Sequence, residues 1–330
     1  MIISKTPLRI SFAGGGTDFP SFYKNNDFGA VISTCVDSFL YVSVKRHSPL
    51  FDERIRLNYS ETELVHDIDK IENSIIRESL KFLGIDDRIY ISTVSDAPAK
   101  SGLGSSSTFC VGLLNALYKF KGMNVSAGRL AEEAAHIEIG ILGRPMGKQD
   151  QYAAAFGGLN YFEFYPDETV SVKPIHINNE IYSILNNSMI SFWTKETRAS
   201  EHILTEQEQN CEKNRETLLV MRQQSEDLRK LLYSPSFNIN TFSKIIYDGW
   251  EMKRSLASKI SNDLIDKAYS LALENGALGG KVSGAGGGGF LSIFADSNKQ
   301  PKICDALETM GLVPYKFNFE VRGSMVLNFD

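Results

Sequence analysis

The stretch PAKSGLGSSS at residues 98–107, running straight into TFCVGLLNALYKF, constrains this chain more than any other segment. Phe109, Leu113 and Leu117 recur every four residues, so the second stretch predicts a helix. One Ser, Thr, Asp or Asn side chain satisfies the orphan amide donors of a helix start. A start made of Gly102, Leu103, Gly104 and then Ser105, Ser106 and Ser107 goes beyond that need. Glycines let backbone approach a ligand closely, and the amides of a first helical turn face it with positive dipole potential. The pattern suits a phosphate cradle whose serine hydroxyls can meet phosphate oxygen or Mg2+. It is not a Walker A loop, because no Lys-Ser/Thr pair follows the last glycine. A tight strand-to-helix turn packed on its neighbours is the alternative.

At 330 residues the chain exceeds the usual limit of one core, which predicts two domains. We place their boundary between residues 190 and 191, giving domains 1–190 and 191–330. Strand-like LRISFA, FLYVSVKR and RIYISTV fill the first half, and long amphipathic helical patterns follow from about residue 200, with Ile203 to Leu232 read as one stretch and Phe242 to Leu256 as another. The helical pattern NDLIDKAYSLALENG ends at Gly276, and strand-like GGFLSIF and YKFNFEV flank a helical ICDALETM.

A formal net charge of −5 supplies no basic field for a nucleic acid, although a small anion in a local basic pocket is compatible with it. Cys35, Cys110, Cys211 and Cys304 form no close pair, which argues against a zinc site or disulfide framework and fits a reducing cytoplasm. No segment reaches about 18 uninterrupted apolar residues, and the start of the chain lacks a secretory pattern, so no membrane partner is expected.

Three further stretches carry chemistry. KVSGAGGGGF at 281–290 packs glycines before an apolar strand, which suits close approach of a ligand or another segment better than a flexible linker. In LRISFAGGGTD, Arg9 begins a strand and Asp18 follows a glycine turn nine residues later, so the two can meet at one cleft rim; a surface Arg and a turn Asp are the alternative. In EIGILGRPMGKQDQYAAAFGG, Glu138 lies on an amphipathic helix that Gly143 and Pro145 end, and Asp150 with Gln151 opens the next segment. Asp150 is a candidate base or, on the plainer reading, a helix cap.

Taken in order, these stretches resemble the GHMP small-molecule kinases. PAKSGLGSSS looks like their ATP-binding motif, KVSGAGGGGF like their C-terminal glycine motif, and PLRISFAGGGTD like their N-terminal substrate motif. The resemblance spans Pro7 to Phe290. The forms ISFAGGGTDFPSFY and GKQDQYAAAFGG are most similar to the members that act on D-glycero-D-manno-heptose 7-phosphate. The fold implied is α+β, with an N-terminal domain like ribosomal protein S5 domain 2 and a ferredoxin-like C-terminal domain around one cleft.

The activity implied is ATP-dependent phosphorylation of an anomeric hydroxyl, giving a heptose 1,7-bisphosphate for surface-glycan synthesis. By resemblance, Pro98, Lys100, Ser101, Gly102, Leu103, Gly104, Ser105, Ser106 and Ser107 hold ATP, and Ser106 and Glu138 hold Mg2+. Asp150 takes the hydroxyl proton with Arg9 beside it. Gly15, Gly16, Thr17 and Asp18 meet the sugar, and Gly284, Gly286, Gly287 and Gly288 underlie the cleft. The far phosphate needs cations, for which Lys5, Arg144, Lys148, Lys195 and Arg198 are the candidates, with Lys148, Lys195 and Arg198 placed in the substrate site. A homodimer is compatible with this reading. A neutral-sugar kinase of the fucose or galactose type, and a non-catalytic nucleotide or sugar sensor on the same fold, are the competing functions.

Overall fold

The computed structural model describes residues 1–197 and 200–327. Its architecture is α+β. Among the described residues the larger sheet has nine strands, centred on two long antiparallel strands, Ile2–Ala13 and Gly29–Arg46. Pairing outward from Gly29–Arg46 are Ile89–Ser95, Ile55–Asn58 and Thr62–Val65 on one path and Leu159–Phe164 with Val170–Pro174 on another. The chain crosses back at its end. Phe319–Glu320 pairs with Gly29–Arg46, and Met325–Leu327 pairs with Ile2–Ala13, so residues from both ends of the sequence share this sheet.

The second sheet is antiparallel, in the order Val313–Tyr315, Met189–Trp193, Phe290–Ala295, Ala277–Val282. Counted along the chain this is 4-1-3-2, with helices between the first and second strands and between the third and fourth. That is the split β-α-β, ferredoxin-like arrangement expected from the resemblance. The two sheets meet at an aromatic seam. Phe12 from the first sheet lies 5.5 Å from Phe242 and 6.2 Å from Phe294, both edge-on, and Phe294 belongs to the second sheet. Offset and edge-on aromatic pairs stabilise by about 0.5–1.5 kcal/mol each beyond their burial. This seam holds strand Ile2–Ala13 against the second half of the chain.

Two local structures depart from the sequence pattern. The stretch Ile203 to Leu232 is two helices, Ser200–Gln209 and Arg215–Leu232. The turn between them buries Cys211, and Asn214 donates its side-chain amide to the Leu256 carbonyl at 3.1 Å. Tertiary packing therefore overrides a continuous helical charge pattern. The strand expected in YKFNFEV is also interrupted, with pairing confined to Val313–Tyr315 and Phe319–Glu320, which join different sheets.

Candidate active site

The helix that follows PAKSGLGSSS runs from Ser105 to Phe120. Gly104 stands at its N-cap with φ +78°, a left-handed conformation natural to glycine, and makes no side-chain cap. The first-turn amides are thus left to whatever occupies the cleft. Five polar atoms in the cleft wall also lack a protein partner although buried: Ser11 Oγ, Ser105 Oγ, Ser107 Oγ, Gln149 Oε1 and Gln207 Nε2. Buried polar atoms are almost always hydrogen-bonded. Together they describe a wall shaped for a polar ligand, around a cavity of about 190 Å³.

The glycine stretch 284–289 explains the loop's shape. Lys281 and Val282 end one strand of the second sheet and Phe290 begins the next, so these glycines form the connection between them. They cross the loop Gly102–Gly104 at backbone distance. A Cβ on Gly102 would stand 2.4 Å from the Ser283 carbonyl oxygen, and one on Gly284 would stand 2.7 Å from the Gly102 Cα. Contacts under 3.0 Å essentially never occur for a real Cβ, so both positions exclude any side chain. Gly284, Gly286 and Gly288 line the cavity, while Gly287 donates its amide to the Ile260 carbonyl.

Asp150 sits in the first turn of the helix Gln149–Phe156, one residue past its N-terminal position, and caps nothing. Its carboxylate turns instead to Arg9. Arg9 Nε donates to Oδ1 at 2.7 Å and Nη2 to Oδ2 at 2.6 Å, a bidentate pair with side chains 5% and 16% exposed. The remaining guanidinium nitrogen, Nη1, donates to the Gly102 carbonyl at 2.6 Å, and the Arg9 amide donates to the Leu103 carbonyl at 3.1 Å. Arg9 therefore ties the glycine loop to the carboxylate. Planar fork geometry makes this a task for which Lys is no substitute.

Glu138 is fully buried on a π-helical segment, His136–Ile141, that continues the helix Ala127–Ala135. Such segments are common at functional sites because they displace a side chain from the regular helical register. Its Oε1 accepts from Ser106 Oγ at 2.7 Å and from Arg144 Nη1 at 2.9 Å, and its Oε2 accepts from Gln151 Nε2 at 2.7 Å. Arg144 also donates to Ser106 Oγ at 2.7 Å. Mg2+ in nucleotide sites usually takes one or two carboxylates and completes its shell with phosphate oxygens and water. One buried carboxylate, Glu138, beside one hydroxyl, Ser106, at the start of the Ser105–Phe120 helix fits that demand. Among the described residues no group of three or more His, Cys, Asp or Glu side chains stands ready for a metal.

Asp18 is buried in the cavity wall next to Gln149. It accepts from the Gly16 amide at 3.0 Å, the Gln149 amide at 3.2 Å and Gln149 Nε2 at 3.1 Å. Burial, and then the charge of Asp150, push its carboxyl above the usual range, and the backbone donors oppose this. Gly15 and Gly16 line the cavity beside it. Thr17 does not reach the cavity, because its hydroxyl is spent on the Gly14 and Ala30 carbonyls at 2.8 and 2.9 Å.

Two cleft lysines escaped the sequence reading. Lys253 and Lys281 are each 7% exposed and line the cavity with Arg9. Lys253 Nζ donates to the Gly284 carbonyl, and Lys281 Nζ donates to the Phe12 carbonyl at 3.2 Å. Burial pushes the Lys253 ammonium down to about 8, with Arg9 acting in the same direction and Asp18 and Asp150 opposing. Lys281 is pushed well below the usual lysine range by burial and then by the charges of Lys253 and Arg9.

The other residues singled out by the sequence fall as follows. Lys100 lines the cavity from an exposed position with φ +60°. Ser101 and Leu103 are buried behind the loop, and Pro98 is exposed outside the cavity wall. Lys5 stands with Nζ 3.6 Å over the Phe39 ring, Lys148 is paired with Glu168, and Lys195 is exposed with φ +60°; none of the three lines the cavity. Arg144 is engaged with Ser106 and Glu138. Arg198 lies outside the described residues.

Comparison with known proteins gives the family. The family GHMP kinases N terminal domain matches residues 70–158, and GHMP kinases C terminal matches residues 227–311. The chain is 33% identical to a D-glycero-alpha-D-manno-heptose 7-phosphate kinase of Campylobacter jejuni, over 98% of this chain and 97% of that protein. It is 24% identical to a galactokinase of Pyrococcus furiosus, over 93% and 92% of the two chains. Its structure superposes with a TM-score of 0.81 on a crystal structure described as a D-glycero-D-manno-heptose 1-phosphate kinase from Bacteriodes thetaiotaomicron, at 27% identity and over 100% of both chains. With both family domains matched and a third of its residues shared along nearly the whole length, the chain belongs to the GHMP kinases and is an ATP-dependent sugar kinase.

Proposed function

We propose that this sugar kinase phosphorylates the anomeric hydroxyl of D-glycero-D-manno-heptose 7-phosphate, giving the 1,7-bisphosphate for nucleotide-activated heptose synthesis. The observation that carries the catalytic part is the Asp150 carboxylate, held in two hydrogen bonds by Arg9 beside the unobstructed start of the Ser105–Phe120 helix. The likeness to the Campylobacter jejuni kinase supports the choice of sugar.

Phosphoryl transfer needs little covalent help from a protein; alignment of the two oxygens and neutralisation of the transferring group dominate. In this reading the amides of Gly104 to Ser107 and the Ser105 and Ser107 hydroxyls receive the nucleotide's phosphates. Asp150 accepts the proton of the sugar hydroxyl on a carboxylate lone pair that Arg9 leaves free, since each carboxylate oxygen can accept two hydrogen bonds. Arg9 fixes the carboxylate's orientation and adds positive charge beside the reacting oxygens. Asp18, oriented by three donors, accepts from a sugar hydroxyl. Mg2+ held by Glu138 and Ser106 would supply further neutralisation of the phosphate charge.

A panel of free and phosphorylated sugars tests the substrate, with ADP release as the readout and the site of phosphorylation read by phosphorus NMR. Heptose 7-phosphate should exceed free heptose, heptose 1-phosphate, galactose and fucose in kcat/KM by about a hundredfold or more, the worth of roughly 2.7 kcal/mol of added binding. Equal or better use of galactose or fucose would overturn the assignment in favour of a neutral-sugar kinase.

A further inference from the structure

The cavity wall carries more positive charge than its carboxylates can balance. Arg9, Lys100, Lys253 and Lys281 face Asp18 and Asp150. Arg9 is already matched by Asp150. Lys100 is exposed at the rim. That leaves two ammonium groups, each 7% exposed, whose hydrogen-bond partner in each case is a single backbone carbonyl: Gly284 for Lys253 and Phe12 for Lys281. Neither forms an ion pair among the described residues. An ammonium has three donors, so each has donors to spare. A buried charge without a counter-charge is costly, and proteins retain it where a ligand completes it.

The placement of the pair says which part of the ligands it meets. The groups read above as holding a nucleotide's phosphates and metal, Gly104 to Ser107 and Glu138, all come from residues 104–138. The two lysines come from the second half of the chain. Lys281 reaches the carbonyl of Phe12 on the strand that runs into the Gly14–Gly16 turn. Lys253 ends a helix followed by Leu256, whose side chain faces Gly16 at 3.8 Å from the position a Cβ would take. Lys281 is thus anchored to the strand that leads into the wall carrying Gly15, Gly16 and Asp18, and Lys253 is held by the glycine stretch 284–289, with both Asp18 and Asp150 near enough to act on its charge.

We infer that Lys253 and Lys281 together form the receptor for a phosphate dianion carried by the sugar substrate itself, and so select phosphorylated over free sugars. This inference rests on the sugar-phosphate reading given above and assigns its far phosphate to particular side chains. Two ammonium groups match a dianion in charge. Their desolvated setting strengthens each hydrogen bond to phosphate oxygen relative to water. A free sugar would leave both buried ammonium groups without an ion-pair partner, which gives selectivity by penalty as well as by attraction.

Steady-state kinetics of the full chain, its Lys253→Met variant and its Lys281→Met variant test this with heptose 7-phosphate, free heptose and ATP. Each variant should raise KM for heptose 7-phosphate about ten- to a hundredfold, the worth of one charge-assisted hydrogen bond. The preference for phosphorylated over free heptose should shrink by the same factor, with KM for ATP moving less than about threefold. A fall in kcat or a rise in KM for ATP, with KM for heptose 7-phosphate unchanged, would mean that the lysines serve the transferring phosphoryl, and would overturn this inference while leaving the substrate assignment standing. A wild-type chain with no preference for the phosphorylated sugar would overturn both. If neither variant folds, the wild-type chain crystallised with heptose 7-phosphate decides by position: the inference requires the sugar's phosphate oxygens within about 3 Å of both Nζ atoms, and fails if they lie elsewhere.

Discussion

Arg9 and Asp150, 141 residues apart in sequence, face each other through two hydrogen bonds of 2.7 and 2.6 Å, and the same guanidinium holds the Gly102 carbonyl. One side chain therefore fixes both the carboxylate proposed as the base and the loop proposed to hold the nucleotide. Replacing Arg9 by Lys keeps the charge and loses the fork. Arg9→Lys should lower kcat by about tenfold or more, consistent with losing roughly 1.5–3 kcal/mol of charge-assisted hydrogen bonding. Unchanged kcat in a folded Arg9→Lys enzyme would show that the bidentate geometry is dispensable.

Asp150→Asn retains the shape of the side chain and removes the proposed base. General-base catalysis contributes about 10² to 10⁴ in rate, so kcat should fall by that factor, with KM for both substrates nearly constant. Circular dichroism and a melting curve establish that the variant is folded. Near-normal turnover would remove Asp150 from proton transfer and leave positioning and charge neutralisation as the whole mechanism.

Gly102→Ala meets two obstacles at once, a φ of +82° and a Cβ position 2.4 Å from the Ser283 carbonyl oxygen. A left-handed conformation costs a non-glycine residue about 1–2 kcal/mol, and the overlap adds to it. Urea denaturation should show a loss of roughly 2 kcal/mol or more. A variant as stable as the parent would mean that the two glycine loops separate readily.

Lys253 makes stability depend on pH. Burial first, then Arg9, holds its folded-state value near 8, with Asp18 and Asp150 opposing and Lys281 also facing it. The unfolded chain keeps the proton to about 10.4. Across that window the unfolded chain binds more protons, so Lys253 makes stability rise with pH, and its full cost is felt below pH 8. Lys253→Met should therefore be more stable than the wild type near pH 7, by up to roughly 3 kcal/mol, with the gain shrinking between about pH 8 and 10. A difference independent of pH would contradict a desolvated ammonium at this position.

Much of the site is legible in the sequence because four short motifs each carry an unusual composition, and the fold brings together Arg9, Asp18, Gly102–Ser107, Asp150 and the Gly284–Gly288 stretch as they suggest. The two lysines are harder to see, for physical reasons that differ. Lys281 stands at the head of KVSGAGGGGF, where the glycines draw the eye and strand alternation alone does not say which face is the cavity. Lys253 has a readable signal: Phe242, Ile246, Trp250 and Lys253 repeat every three or four residues, which places a lysine on the buried stripe of its helix. The break at 210–214 has no glycine or proline to mark it, since contacts from Cys211 and Asn214 to distant segments make it. Thr17 looks like a sugar contact by position, but the turn's own carbonyls claim its hydroxyl.

The most direct test of the account is a crystal structure of the protein with a non-hydrolysable ATP analogue, Mg2+ and heptose 7-phosphate. The γ-phosphate should lie at the amides of Gly104 to Ser107 and the anomeric hydroxyl within about 3 Å of an Asp150 carboxylate oxygen. A γ-phosphate bound away from that helix start, or an anomeric oxygen out of reach of Asp150, would contradict it.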